Sequence, residues 1–245
     1  MFWLLTEGGR ALTEWGLTFP YRKLIKQSAD GDGHPVLVLP GFMASDSSTE
    51  VLREFIDDLG YTSHSWDMGR NTADLHCLEK LVSKIEKLRK AHRQKVTIIG
   101  HSLGGVFARQ LAKANPDNVR QVITLGSPFR GIDQPNNIAW IYNKFVKGKQ
   151  IKEMDPELFE DLPKPAPVPT TAIYSKEDGI VPWQLCIEEE DDIHQNIRIR
   201  GSHIGMSVNP TVLEVIADRL SVKEDEVWYY FKSKNMIKEM ILYPS

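Results

Sequence analysis

Two hydrophobic rhythms alternate along the chain. Short continuous apolar runs stand at Val36-Leu37-Val38-Leu39, Val96-Thr97-Ile98-Ile99, Val122-Ile123-Thr124-Leu125 and Thr171-Ala172-Ile173-Tyr174. Such runs are what a strand buried on both faces requires. Residues 61–68 and 196–200 are two further strand candidates. Between the strands the apolar positions recur at helical spacing. Val51, Leu52, Phe55, Ile56 and Leu59 predict a helix from near Ser47, with Ser47 and Glu50 as a capping box and Gly60 as its stop. Leu75, Leu78, Leu81, Val82, Ile85 and Leu88 predict a second helix over residues 74–91. Others are expected over residues 103–114, closed by Asn115-Pro116-Asp117, and over residues 210–220. This alternation predicts an α/β fold, a mostly parallel central sheet with helices on both faces, in a single domain over residues 1–245.

Composition adds exclusions. The 245 residues carry a formal net charge of -3 and no dominant basic stretch, so nucleic acid is not an expected partner. The acidic run from Glu188 to Asp192 lacks ordered ligand spacing and reads as a solvated loop rather than a cation site. Cys77 and Cys186 could pair, but two cysteines do not make a disulfide framework. No C-x-x-C pair or H-E-x-x-H helix occurs, so no metal and no cofactor is expected. Gly31-Asp32-Gly33 precedes its strand and is not a dinucleotide fingerprint. No run of about 18 apolar residues is present to span a membrane, and the N-terminal apolar run is too short for a signal peptide. The cytoplasm is the default location. Phe2, Trp3, Leu5, Leu12 and Trp15 are expected to pack on the domain, with peripheral lipid contact as the rival reading. The aromatics Trp228, Tyr229, Tyr230 and Phe231 are expected to pack on the core.

The chemistry concentrates in Gly100-His101-Ser102-Leu103-Gly104. A G-x-S-x-G string arises by chance in about one chain of this length in ten. Here it follows a buried strand and opens a helix, as a nucleophile elbow must. Glycines at 100 and 104 permit the close strand–helix approach, and the helix N-terminus favours developing negative charge at the serine. A serine hydroxyl is a weak nucleophile at neutral pH and needs a base. Its oxyanion needs preorganised donors, the first being the N–H of Leu103, the residue after the nucleophile.

With Leu39-Pro40-Gly41-Phe42, Gly100 to Gly105, Leu125 to Gly131, and Asp178-Gly179-Ile180-Val181-Pro182 followed by Gly201-Ser202-His203, the chain resembles the α/β-hydrolase fold family. The likeness is to small bacterial lipase and esterase-like serine hydrolases and spans about residues 36–220. It implies the chain order serine, acid, histidine. Of seven histidines it makes His203 the base, and it makes Asp178 the acid that orients it, with Glu177 as rival. His101 is expected to point away from Ser102. The resemblance also implies a second oxyanion donor at Phe42, with Met43 as rival, although Pro40 stands where the family often has histidine. Met43 is also a candidate substrate contact. The implied function is carboxylic-ester hydrolysis through an acyl-enzyme. A thioesterase, amidase, acyltransferase or non-catalytic scaffold would use the same frame.

Residues 132–169 separate two sheet strands and exceed the usual connection of about 2–6 residues, so a small helical cap is expected there. Ile138, Ile141, Tyr142, Phe145 and Val146 would form its apolar stripe, with Trp140 on the other side. The stripe either packs on the domain or roofs the acyl pocket. In the second case Ile141 and Phe145 would touch substrate.

Overall fold

The computed structural model describes residues 2–26, 30–130, 160–233 and 242–243. The cap expected at residues 132–169, with Ile141 and Phe145, lies almost wholly outside them. Six strands form one sheet: β1 (Pro35–Leu39), β2 (Thr62–His64), β3 (Val96–His101), β4 (Val119–Leu125), β5 (Thr170–Ser175) and β6 (His194–Ile199). Every pairing is parallel and the order is β2-β1-β3-β4-β5-β6.

Five α-helices stand around it among the described residues: α1 (Phe2–Lys26), α2 (Glu50–Asp58), α3 (Cys77–His92), α4 (Leu103–Ala114) and α5 (Pro210–Ser221). Parallel strands need crossovers, and crossover helices cover both faces. Leu37 and Leu39 of β1 therefore pack with α3 and α4, through Leu81, Ile85, Val106 and Phe107. Val36 and Val38 point the other way, to Leu52, Phe55 and Ile56 of α2 and Val212 and Ile216 of α5. Each such side chain, fully buried, contributes about 1.5–3 kcal/mol.

Register brings the carboxyl ends of the strands level. Leu39 pairs with Gly100, His101 with Leu125, and Ser175 with Ile199. From β1 the chain runs outward to β2 and then returns to β3 on the other side. The crevice beyond the carboxyl ends of β1 and β3 is thus a topological switch point, where open α/β sheets bind ligands.

Several local expectations are corrected. Ser47 does not cap α2: the helix begins at Glu50 after a tight turn over Asp46–Thr49, and Thr49 makes no side-chain cap bond. The carboxylate of Asp46 is instead the acceptor for the amides of Trp66 and Asp67. That sharp return leaves β2 with three residues rather than eight. The stop at Gly60 is as expected, with φ at +89°. Glu188 is not solvated but buried, ion-paired with the buried Arg109 of α4, whose guanidinium lies 3.8 Å above the Phe129 ring. Of the four tail aromatics, Phe231 is buried while Tyr229 and Tyr230 are exposed.

The largest departure is α1. Leu5 is 76% exposed and Leu12 70%, and Phe2, Trp3 and Trp15 are exposed as well. The expected packing of these residues is not what the helix does. Glu7, Glu14 and Thr18, at i, i+7 and i+11, face the domain instead, and Thr18 hydrogen-bonds the carbonyl of Val208. Cys77 and Cys186 are buried free thiols. Among the described residues no helix is long and apolar enough to cross a membrane, and no cluster of ligating side chains could hold a metal.

Candidate active site

Ser102 occupies the turn between β3 and α4 with φ 52° and ψ -122°. A non-glycine residue there carries strain on the order of 1–3 kcal/mol, which its surroundings must impose. They do so through close packing. The Ser102 amide donates to the Leu125 carbonyl at 2.8 Å. A Cβ on Gly100 would collide with the backbone of Gly104 and Gly105, and one on Gly104 with the Leu39 carbonyl. The elbow therefore depends on both glycines.

The loop after β1 lies opposite. Buried Asn71 fixes it from three sides. Its side-chain amide donates to the Pro40 carbonyl at 2.9 Å, its backbone carbonyl accepts from Met43 N–H at 2.7 Å, and its own N–H donates to the Ala44 carbonyl at 2.8 Å. No motif marked Asn71. Its clue is only that a buried loop must pair its polar groups. The Met43 amide, one of the two rival donors, is thus engaged with the Asn71 carbonyl. Met43 itself sits at φ +59° with its side chain substantially exposed.

Asp178 follows β5 and His203 follows β6. Asp178 Oδ2 lies 2.6 Å from His203 Nδ1, and both side chains are buried. Asp178 Oδ1 accepts the N–H groups of Ile180 and Val181 at 2.8 and 2.7 Å, fixing the carboxylate plane. Glu177, the rival acid, instead accepts the Ser175 hydroxyl and faces Arg198. His101 Nε2 donates to the His203 carbonyl at 2.8 Å. Burial and the neighbouring His203 lower the His101 pKa to about 4, so its imidazole is neutral near pH 7. It thus anchors the backbone of His203.

A cavity of about 330 Å³ is lined by Ser102, Leu103, His203 and Phe42 together with apolar Ile180, Val181, Pro128 and Ile204. Met43 is not part of its wall. Apolar walls with a few convergent polar groups are the usual make-up of a small-molecule site. The arrangement brings Ser102, Leu103, Phe42 and His203 to one cavity and sets Asp178 behind His203.

Comparisons with known proteins agree with this frame. No curated protein matches the chain. Among solved structures it resembles lipase B of Aspergillus fumigatus, at 18% identity and a TM-score of 0.60. The superposition covers 78% of this chain and 53% of that one, so the chain spans about half of that lipase. TT1662 from Thermus thermophilus gives 14% identity and a TM-score of 0.58 over 81% of this chain and 92% of that one. A monoacylglycerol lipase of Paleococcus ferrophilus gives 13% and 0.54 over 78% and 96%. At such identities the likeness establishes the fold alone. The model for palmitoyl protein thioesterase matches residues 35–166, more than half of the chain, which takes in Phe42, Ser102 and Leu103 and ends before Asp178 and His203. With the α/β-hydrolase fold that these solved structures share, the chain belongs to the palmitoyl protein thioesterase family.

Proposed function

We propose that the protein hydrolyses carboxylic esters through an acyl-enzyme on Ser102. The observation that carries the reading is a serine held at φ 52° over a helix N-terminus, in one cavity with a histidine whose Nδ1 is bound to a buried carboxylate. Asp178 keeps the His203 proton on Nδ1, which leaves Nε2 as the acceptor. Ser102 Oγ attacks the acyl carbonyl as its proton passes to Nε2. The tetrahedral oxyanion is held by the N–H groups of Leu103 and Phe42. Its collapse breaks the bond to the alcohol oxygen, which leaves with the proton from His203. Water then repeats the sequence and releases the acid. The steps balance without a cofactor.

A thioester is the second reading, favoured by the name of the matching family. The same steps serve it, with a thiol leaving in place of the alcohol. The exposed apolar residues of α1 support peripheral contact with a lipid surface, to be checked by co-sedimentation with anionic and neutral vesicles.

The test pairs labelling with turnover. A fluorophosphonate probe should label the wild type and not Ser102→Ala. A panel of ester, thioester and amide substrates over several acyl lengths should give ester turnover that Ser102→Ala and His203→Ala each abolish. Because the groups act as a unit, the double variant should be barely worse than either single one. Retained ester turnover in Ser102→Ala would sink the mechanism. A thioester preference over the matched ester would select the second reading.

A further inference from the structure

We propose that Glu7 and Glu14 of α1 are positioning residues that clamp the acid loop and the base loop together. The proposal rests on the roles given above to Asp178 and His203. Glu7 is 3% exposed. Its Oε1 accepts the Gly179 amide at 2.8 Å and the His203 amide at 3.2 Å, and its Oε2 accepts the Ile204 amide at 3.2 Å. One carboxylate therefore joins the residue after the acid to the base itself. Arg10, one turn along α1, donates to the same carboxylate at 2.8 Å.

Glu14 completes the clamp two turns on. Its Oε1 accepts the Ser202 amide and its Oε2 the Ser202 hydroxyl, both at 2.7 Å. Ser202 Oγ in turn accepts the Gly205 amide at 3.0 Å. A Cβ on Gly205 would collide with the Glu14 carboxylate, so the loop is bare where the carboxylate lies. The four consecutive amides from Ser202 to Gly205 are thus satisfied by α1, directly or through one hydroxyl.

Docking a helix does not by itself call for this arrangement. Burying carboxylates is costly unless they are fully paired, and apolar side chains would hold a helix at less cost. This helix has such side chains, yet Leu5, Leu12 and Trp15 point outward. What the carboxylates supply that leucine cannot is direction. Charge-assisted bonds to amides are short and oriented, and two of them on one rigid helix fix the distance between two loops. Those loops carry the 2.6 Å contact between Asp178 and His203. A misplacement of about 1 Å originating away from the chemistry can cost on the order of 10²-fold in rate.

The test uses the full chain, a short activated ester, and the variants Glu7→Gln, Glu7→Asp, Glu14→Gln and Thr18→Val. Thr18 holds α1 through the Val208 carbonyl and bonds none of the clamped amides. Glu7→Gln should lower kcat on the order of 10²-fold with KM within about twofold. Glu7→Asp keeps the charge and should recover part of the loss. Thr18→Val should lower the Tm while keeping wild-type kcat. If Glu7→Gln keeps wild-type kcat, or if kcat in all four variants falls in step with Tm, the clamp is only a docking contact. Should Glu7→Gln fail to fold, Glu14→Gln gives the same comparison at the base loop alone, with a smaller loss expected. Wild-type labelling at Ser102 separates the two failures. An unlabelled Ser102 overturns the mechanism, and a labelled one with an indifferent Glu7 overturns only the clamp.

Discussion

Replacing Asp178 by asparagine tests the proposed acid through a single atom. The substitution is isosteric, so the loop has no steric reason to move. The amides of Ile180 and Val181 both donate to Oδ1, at 2.8 and 2.7 Å, and they would keep the asparagine carbonyl oxygen in that place. The NH2 group then faces His203 Nδ1, where the carboxylate oxygen now lies 2.6 Å away. A donor at that position demands an unprotonated Nδ1. The imidazole must carry its proton on Nε2, the nitrogen that has to accept the proton of Ser102. In triads whose carboxylate is lost this way, kcat falls on the order of 10⁴-fold, which is about 5 kcal/mol of barrier. KM should stay near the wild-type value, because no cavity wall changes. Glu177→Gln should cost at most a few-fold, since Glu177 contacts Ser175 and Arg198. The assay is steady-state turnover of a short activated ester, with thermal melts to show that both variants fold. A kcat within tenfold of wild type for Asp178→Asn, with a larger loss in Glu177→Gln, would move the acid by one position and refute the reasoning.

Two further outcomes concern stability. Arg109→Leu leaves the Glu188 carboxyl buried and without its cation, so it should destabilise by about 3–5 kcal/mol, whereas adding Glu188→Leu should recover most of that loss; chemical denaturation measures both, and a double variant no better than the single would contradict it. Burial first, and the Arg120 charge next, lower the His34 pKa from 6.5 to about 4. A depressed folded-state pKa contributes stability above the unfolded value and loses it as pH falls, so the unfolding free energy from denaturant titrations should drop between about pH 6.5 and pH 4, by up to about 3 kcal/mol in the wild type and by less in His34→Leu. Equal slopes in the two proteins would show that His34 is not the group responsible.

The sheet was legible because a strand buried on both faces must be continuously apolar, and runs such as Val36-Leu37-Val38-Leu39 have few other uses. The serine was legible for a similar reason. A turn as tight as the one at Ser102 leaves no room for side chains at 100 and 104, so the glycines are part of the geometry that they announce. What escaped the sequence are groups whose partners lie far away in the chain. Ser47 and Glu50 satisfied a local rule, but Asp46 draws the amides of Trp66 and Asp67 instead, and the turn it makes forestalls the capping box. The acidic run looked solvated because the cation that holds Glu188 sits on α4, in another part of the sequence. Glu7 and Glu14 are the extreme case. Each lies more than 170 residues from the loops it binds, and its partners are mostly backbone amides, which nearly every residue possesses and no sequence can mark. A pattern reading assigns a helix's apolar stripe to the core because apolar burial is the commonest way to dock it. On α1 the amides of two irregular loops needed acceptors more than the core needed further apolar area. An ionised carboxylate accepts several N–H groups at once, and leucine accepts none. The polarity of α1 is therefore set by the backbone it covers, and the helix turns its carboxylates toward the site.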